Sequence, residues 1–108
     1  MLTVNQSLVA FDALSHNTRF KIFRMLVKAG SIGLSAEDLS KKNKISAATL
    51  SFHMSKLINA EIVVSKKQGR KIHYFTDYKM LSNLLNNMTD SCCINTNEKC
   101  ENLFLRKA

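Results

Sequence analysis

The chain has 108 residues, 45% of them apolar and 22% charged, enough for one domain with a buried core and too apolar for a disordered segment. Lys and Arg number 16 against 8 Asp and Glu, leaving a net charge of +8 and a pI near 9.7, which favours polyanionic partners, nucleic acid first and an anionic membrane surface second. No apolar run of about 18 residues is present, and no basic start leads into a short apolar block with a cleavage site, so the expected location is the cytoplasm and no membrane partner is expected. In chain order, Leu8, Phe11 and Leu14 recur at helical spacing and predict a short helix over residues 7–14. Asn17 then caps a second helix, in which Phe20, Ile22, Phe23, Leu26 and Val27 form an apolar stripe that Ala29-Gly30 ends. Ser35, with Asp38 three residues on, opens a brief third helix containing Ala36 and Leu39. Asn43-Lys44-Ile45 is a tight link, and Ser46 caps a fourth helix from residue 47 to about 60. Two helices joined by so few residues have helix-turn-helix spacing.

On the fourth helix, at roughly 100° per residue, Ala47, Leu50, Met54, Leu57 and Ile58 share the side expected to be buried. Ala48, Thr49, Phe52, Ser55 and Lys56 fall opposite, with Ser51 and His53 on the flanks. A face that small and polar can approach base edges, where hydroxyls and an imidazole hydrogen-bond and a ring meets a thymine methyl. An ordinary amphipathic helix with a lightly charged outer face would look the same, so the next segment decides. Glu61-Ile62-Val63-Val64 and Ile72-His73-Tyr74-Phe75 read as two strands, joined by Ser65-Lys66-Lys67-Gln68-Gly69-Arg70-Lys71 as a loop. Four cations in one loop repel each other unless phosphates are near, and Gly69 frees the tip. A basic β-ribbon directly after a helix-turn-helix points to DNA. The candidate contacts are Ala48, Thr49, Ser51, Phe52, His53 and Lys56 on the helix, and Lys66, Lys67, Gln68, Arg70 and Lys71 on the ribbon. Beyond it, Tyr78, Leu81, Leu85, Met88 and Cys92 recur in alternating steps of three and four, the spacing of a two-helix seam. Charge follows this division: residues 1–46 and 47–76 each carry +4, and the remainder is neutral.

The order of helices, helix-turn-helix, basic wing and last helix resembles the ArsR/SmtB family of small winged-helix repressors. The resemblance rests on Phe11-Asp12-Ala13-Leu14-Ser15 leading into Thr18-Arg19-Phe20-Lys21-Ile22-Phe23, on Ile45-Ser46 through Leu50-Ser51-Phe52-His53-Met54-Ser55-Lys56-Leu57, and on Gly69-Arg70 before Tyr74. It covers most of residues 8–93. It implies a mainly α fold with a small β-hairpin, a winged helix-turn-helix that forms a homodimer through its first and last helices and represses an operon until a metal or metalloid ion releases it. Residues 1–93 would be the DNA-binding and dimerisation domain and 94–108 a cysteine-containing tail. The family's recognition positions fall on Ala48, Thr49, Ser51, Phe52 and His53; Phe52 replaces the Arg or other polar residue common there.

Three cysteines, an odd number, do not make a closed disulfide framework. Two of the family's usual sensing sites lack their ligands: Leu34-Ser35-Ala36-Glu37-Asp38-Leu39 contains no thiol, and no His follows His73. Cys92-Cys93 and Cys100 resemble the arsenic-responsive subgroup, with a spacer, residues 94–99, one residue longer than in that subgroup. Thiolates favour soft ions, and three sulfurs without a fourth ligand suit trivalent arsenic or antimony better than zinc or cadmium. On a continuous helix Cys93 and Cys100 would lie roughly 10 Å apart at about 1.5 Å per residue, so one ion requires the chain to turn, and Asn95-Thr96-Asn97 suits a turn. Other readings of these thiols are a seam contact for Cys92, an oxidant switch between Cys93 and Cys100, or incidental thiols on a constitutive DNA binder. A vicinal Cys92-Cys93 disulfide would be strained. His16 reads as a helix-end partner, His53 as a DNA contact and His73 as a strand residue. An enzyme, such as a thiol-dependent arsenate reductase, would need an activated cysteine beside an anion-binding loop or a base; neither accompanies Cys92-Cys93, so no catalytic residue or catalytic cofactor is expected.

Overall fold

In a computed structural model that describes residues 2–96, helix α1 spans Val4–Leu14 and begins earlier than the Leu8, Phe11, Leu14 spacing predicts. The cause is a reciprocal cap: Gln6 N–H donates to Thr3 Oγ1 at 3.0 Å while Thr3 N–H donates to Gln6 Oε1 at 2.8 Å, satisfying two end donors together. The faces of α1 are also unexpected. Ser7, Ala10 and Ala13 turn into the core and Leu8 is 59% exposed, because short side chains let the helix axis approach its neighbours.

Helix α2 (Asn17–Ala29) is capped by His16 rather than Asn17, with His16 Nδ1 accepting from Thr18 N–H at 3.2 Å. Ile22, Phe23 and Leu26 are buried, but Phe20 is exposed and not part of the expected stripe. At about 100° per residue it points roughly 140° away from Ile22 and Leu26. After a 3-10 turn over Gly30–Ile32, a short strand β1 (Leu34–Ser35) precedes helices α3 (Ala36–Asn43) and α4 (Ala47–Asn59). Ser35 Oγ and Ser46 Oγ cap these helices as expected, accepting from Asp38 N–H and Thr49 N–H at 3.1 Å each. Both helices end in a left-handed residue where glycine is usual, Lys44 at φ 55° and Glu61 at φ 66°. Ile45 N–H bonds Ser40 O at 3.1 Å and Ile62 N–H bonds Leu57 O at 3.3 Å, the six-to-one bond of a Schellman motif. Buried Ile62 and Leu57 supply its apolar contact.

Strands β2 (Val63–Gln68) and β3 (Lys71–Thr76) pair antiparallel, and β1 adds to the far edge of β3, giving a three-stranded sheet in the order β1-β3-β2. The expected seven-residue loop is corrected to a two-residue one. Gln68 pairs with Lys71, so only Gly69-Arg70 turn, and Gly69 at φ 67° in the first central position matches a type II′ hairpin. β1 escaped the sequence reading because two residues carry no periodicity. Helix α5 (Tyr78–Thr89) starts at Asp77, whose Oδ1 accepts from Met80 N–H at 3.0 Å, and the Tyr78 hydroxyl donates to Val27 O at 2.7 Å at the end of α2. Cys92 lies beyond this helix, which corrects its reading as a seam residue.

One core joins these parts: Ile22 and Leu26 of α2, Leu39 of α3, Leu50, Met54 and Leu57 of α4, and Ile62 before the wing. Among the described residues no helix is long and apolar enough to cross a membrane. Gly33, at φ 67° and ψ −170°, closes the sheet edge, and a Cβ there would sit 2.5 Å from Tyr74 O and from the Phe75 ring. Gly33→Ala is expected to destabilise by about 3 kcal/mol through combined backbone strain and overlap. Glu61→Gly is expected to stabilise by about 1 kcal/mol by removing the left-handed penalty. Urea midpoints at constant m check both, and a neutral Gly33→Ala would refute the close contact.

Candidate nucleic-acid interface

Helix α4 presents Ala48, Thr49, Ser51, Phe52, Ser55 and Lys56 to solvent. Burial of Leu50, Met54 and Leu57 on the opposite side dictates this. The exposed face is already organised: Ser46 Oγ donates to Thr49 Oγ1 at 3.0 Å, Ser55 Oγ donates to Phe52 O at 2.8 Å, and Lys56 Nζ lies 5.5 Å from the Phe52 ring centroid. Phe52 is therefore a 55% exposed ring with a cation over it, a surface able to meet an apolar base edge beside a phosphate.

His53 does not share that face, contrary to the expectation that it reaches DNA. It is 6% exposed, and its Nδ1 lies 3.2 Å from Arg19 Nη1. Its position three residues after Leu50 and four before Leu57 places it on the buried stripe, and the Arg19 guanidinium makes that burial tolerable by satisfying the ring. Ala47, expected inside, is exposed instead, so the buried arc is rotated toward His53. His16 does act at a helix end, and its ring packs 4.8 Å from that of His53. Burial, then the neighbouring His16 and Arg19, hold the His53 pKa below its ordinary value. Arg19 was not a candidate from the sequence; nothing local in Thr18-Arg19-Phe20 marks it, since its partner is 34 residues away.

Lys66, Lys67, Gln68, Arg70 and Lys71 are all exposed on the hairpin. They are not equivalent. Lys66 Nζ lies 5.6 Å from the Phe75 ring centroid, and Lys71 Nζ lies 3.6 Å from Glu37 Oε1 on α3. The other Glu37 oxygen is 3.7 Å from Lys41 Nζ. Among the described residues Lys67 and Arg70 make no ion pair. An open groove of about 540 Å³ separates α3 and the start of α4 from β3, with Glu37, Ser51 and Ile72 among its walls.

At the other end of the chain, the segment after α5 turns tightly. Ser91 and Cys93 both have φ 60°, and Cys92 N–H, Ile94 N–H and Thr96 N–H donate to Thr89 O, Ser91 O and Cys93 O at 3.0, 3.2 and 3.2 Å. Cys92 Sγ and Cys93 Sγ lie 3.4 Å apart. Cys100 and the Asn97 part of the expected turn lie outside the described residues. Among the described residues no cluster of three or more metal-ligating side chains occurs.

A short-linked helix pair on a three-helix core, flanked by a basic hairpin, defines a winged helix-turn-helix, a DNA-binding architecture. Residues 14–65 match the helix-turn-helix domain family. An arsenical resistance operon repressor of Staphylococcus aureus is 35% identical over 89 residues, covering 81% of this chain and 79% of that protein. An ArsR-like transcriptional regulator from Rhodococcus sp. RHA1 superposes with a TM-score of 0.68 at 27% identity, over 78% of this chain and 76% of that one. A homodimeric winged helix-turn-helix domain from Mycobacterium bovis, described as a possible ArsR-family regulator, gives 0.65 at 17% identity over 89% of each chain. The chain belongs to the ArsR family of transcriptional repressors, which are DNA-binding regulators and not enzymes.

Glu37 lies 3.6 Å from Lys71 Nζ on the wing and competes for its charge. Glu37→Gln is expected to steepen the slope of log affinity against log salt by about 1, the release of roughly one more counterion, and to tighten binding to unrelated duplexes as much as to a preferred one. An unchanged slope in fluorescence anisotropy would show that the pair does not restrain Lys71.

Proposed function

We propose that this repressor binds operator DNA as a homodimer and is released when As(III) or Sb(III) is captured by Cys92, Cys93 and Cys100. The observation that carries the reading is the 3.4 Å approach of Cys92 Sγ and Cys93 Sγ immediately after α5. Sulfurs at that separation subtend roughly 95° at an ion about 2.3 Å from each. That is narrower than the tetrahedral angle and suits the pyramidal arrangement that a lone pair leaves to a trivalent metalloid. The Staphylococcus relative, an arsenical operon repressor, points the same way. A third thiolate from Cys100, at the far end of a short spacer, would complete the set.

Dimerisation is supported by apolar surface that one chain leaves uncovered. Val4, Leu8 and Phe11 of α1 and Tyr78, Leu85 and Met88 of α5 are all exposed, more than isolated surface residues account for. Covering them with a second copy would set two α4 helices at a fixed spacing, as two successive major-groove half-sites require. Ala48, Thr49, Ser51 and Phe52 would then meet base edges, with Lys56, Lys66, Lys67, Gln68, Arg70 and Lys71 along the backbone. Ion capture beside α5 would alter that spacing, and a coupling of about 1 to 3 kcal/mol would weaken binding roughly 5- to 150-fold.

Arsenite titration of the reduced protein is expected to raise sulfur-to-ion absorption and to release DNA in a gel shift, and Cys100→Ser should abolish release while leaving DNA binding intact. Release by cadmium, zinc or peroxide but not by arsenite would reassign the trigger to another soft metal or an oxidant. Separately, the Lys67→Ala, Arg70→Ala double variant should weaken all duplexes alike and flatten the salt slope by about 2; a loss confined to the preferred sequence would contradict a backbone role.

A further inference from the structure

Arg19 makes two hydrogen-bond contacts that tie separate helices together. Its Nε donates to Ala13 O at 2.7 Å, one of the carbonyls that the last turn of α1 leaves without a helical donor. Its Nη1 lies 3.2 Å from His53 Nδ1. A guanidinium only donates, so Nδ1 must accept, which requires a neutral imidazole with its proton on Nε2. The ring also packs against that of His16, centroids 4.8 Å apart, which is itself anchored as the α2 cap. One planar fork thus connects the end of α1 to the centre of the helix that reads DNA.

We infer that Arg19 and His53 are positioning residues for DNA recognition: the Ala13–Arg19–His53 link holds α4 at its reading angle, and protonation of the imidazole breaks it. This rests on the DNA-binding role of α4. The groups facing the ring are His16 at the cap of α2 and Arg19 within α2, the Phe52 ring on α4 itself with its centroid 5.6 Å away, and, through Arg19, the Ala13 carbonyl of α1. Among the described residues the only charges acting on His53 are those of His16 and Arg19, and no carboxylate offsets them. A proton on Nδ1 removes the acceptor and sets a cation against a guanidinium. Because burial and these neighbours lower the folded pKa below the ordinary value of 6.5, the link is complete above about pH 6.5 and is lost as pH falls through the folded value.

The sign of the effect separates this from bulk electrostatics. Protonating histidines makes the chain more cationic and, by charge alone, tightens its hold on a polyanion; breaking the link loosens sequence-specific binding. The probe is a duplex selected by the wild-type chain from a random-sequence pool at about pH 7.5, with an unselected duplex of equal length as the comparison. Wild-type affinity for the selected duplex is expected to fall as pH drops through the lowered folded value of His53, by up to about tenfold once the imidazole is protonated, the loss of one charge-assisted hydrogen bond, while the unselected duplex binds no more weakly. His53→Asn keeps an acceptor near the Nδ1 position and cannot titrate, so it should bind at pH 7.5 like the wild type and lose the acid-induced fall. Arg19→Lys keeps the charge without the fork and should weaken the selected duplex at pH 7.5 while sparing the unselected one, which keeps the inference testable if His53→Asn does not fold. Acid tightening in the wild type, a His53→Asn profile that follows the wild type, or equal specific affinity in Arg19→Lys would overturn the link while leaving DNA binding in place. A wild-type chain that selects no duplex would overturn the reading role of α4 and the link with it.

Discussion

Burial of Leu50, Met54 and Leu57 against Ile22, Leu26 and Leu39 is the constraint on which the rest depends. It sets the rotation of α4 about its own axis, and a helix has no independent way to choose which residues it shows. With that stripe turned inward, the small and polar residues Ala48, Thr49 and Ser51 come to the surface, and Phe52 with Lys56 follows one turn later. Each fully buried leucine contributes on the order of 2 kcal/mol, so rotating the helix by one residue to expose a different face would forfeit more than any single surface contact could return. The turn before α4 obeys the same constraint. Lys44 takes a left-handed conformation because the six-to-one bond to Ser40 O and the partial burial of Ile45 hold it there.

The wing is attached differently, and the difference has an electrostatic consequence. Its root is apolar, with Ile62, Val63 and Tyr74 in the core, whereas everything beyond Val63 on β2 is exposed. Burial raises the Tyr74 pKa, so its hydroxyl stays neutral and adds no charge at the root. The cations are thus displayed on a ribbon whose only ion pair among the described residues is Lys71 with Glu37. At physiological salt the screening length is about 8 Å, so the Lys67 and Arg70 charges are felt only by a partner that comes close to the tip. This suits backbone contact beside a groove better than long-range attraction.

Much of this architecture was legible because it rests on local chemistry. Ser35 and Ser46 announce helix starts by side-chain type, the Leu50, Met54, Leu57 spacing announces a buried stripe, and Gly69 between β-branched runs announces a hairpin. Other features had no local mark. Thr3 and Gln6 form a capping box that no apolar pattern precedes, and Lys44 and Glu61 end helices without glycine because tertiary burial of Ile45 and Ile62 imposes the turn. His53 was the instructive case. Its spacing already placed it on the buried stripe, but a polar ring reads as surface unless a partner is known, and the partner, Arg19, is distant in sequence. The pairing of Cys92 with Cys93 was legible as sequence adjacency alone, while the geometry joining them comes from positive φ at Ser91 and Cys93, which neither residue type advertises.

The polar contacts between helices also suggest how the two ends of the molecule can communicate. Asn87 Nδ2 donates to Ser7 Oγ at 3.1 Å, linking the last turn of α5 to the buried face of α1. From the opposite end of α1, Ala13 O receives Arg19, which reaches His53 on α4. A displacement of α5 at its cysteine end therefore has a short mechanical route to α4. It runs through α1, whose small inward residues allow sliding better than interlocked large ones would. Contiguity alone is not coupling. The route's two ends lie beside groups that can change state: the cysteine turn that follows α5, and an imidazole that accepts only while neutral. An ion at the first and a proton at the second would bias the same element, and each would then alter the response to the other by an equal free energy.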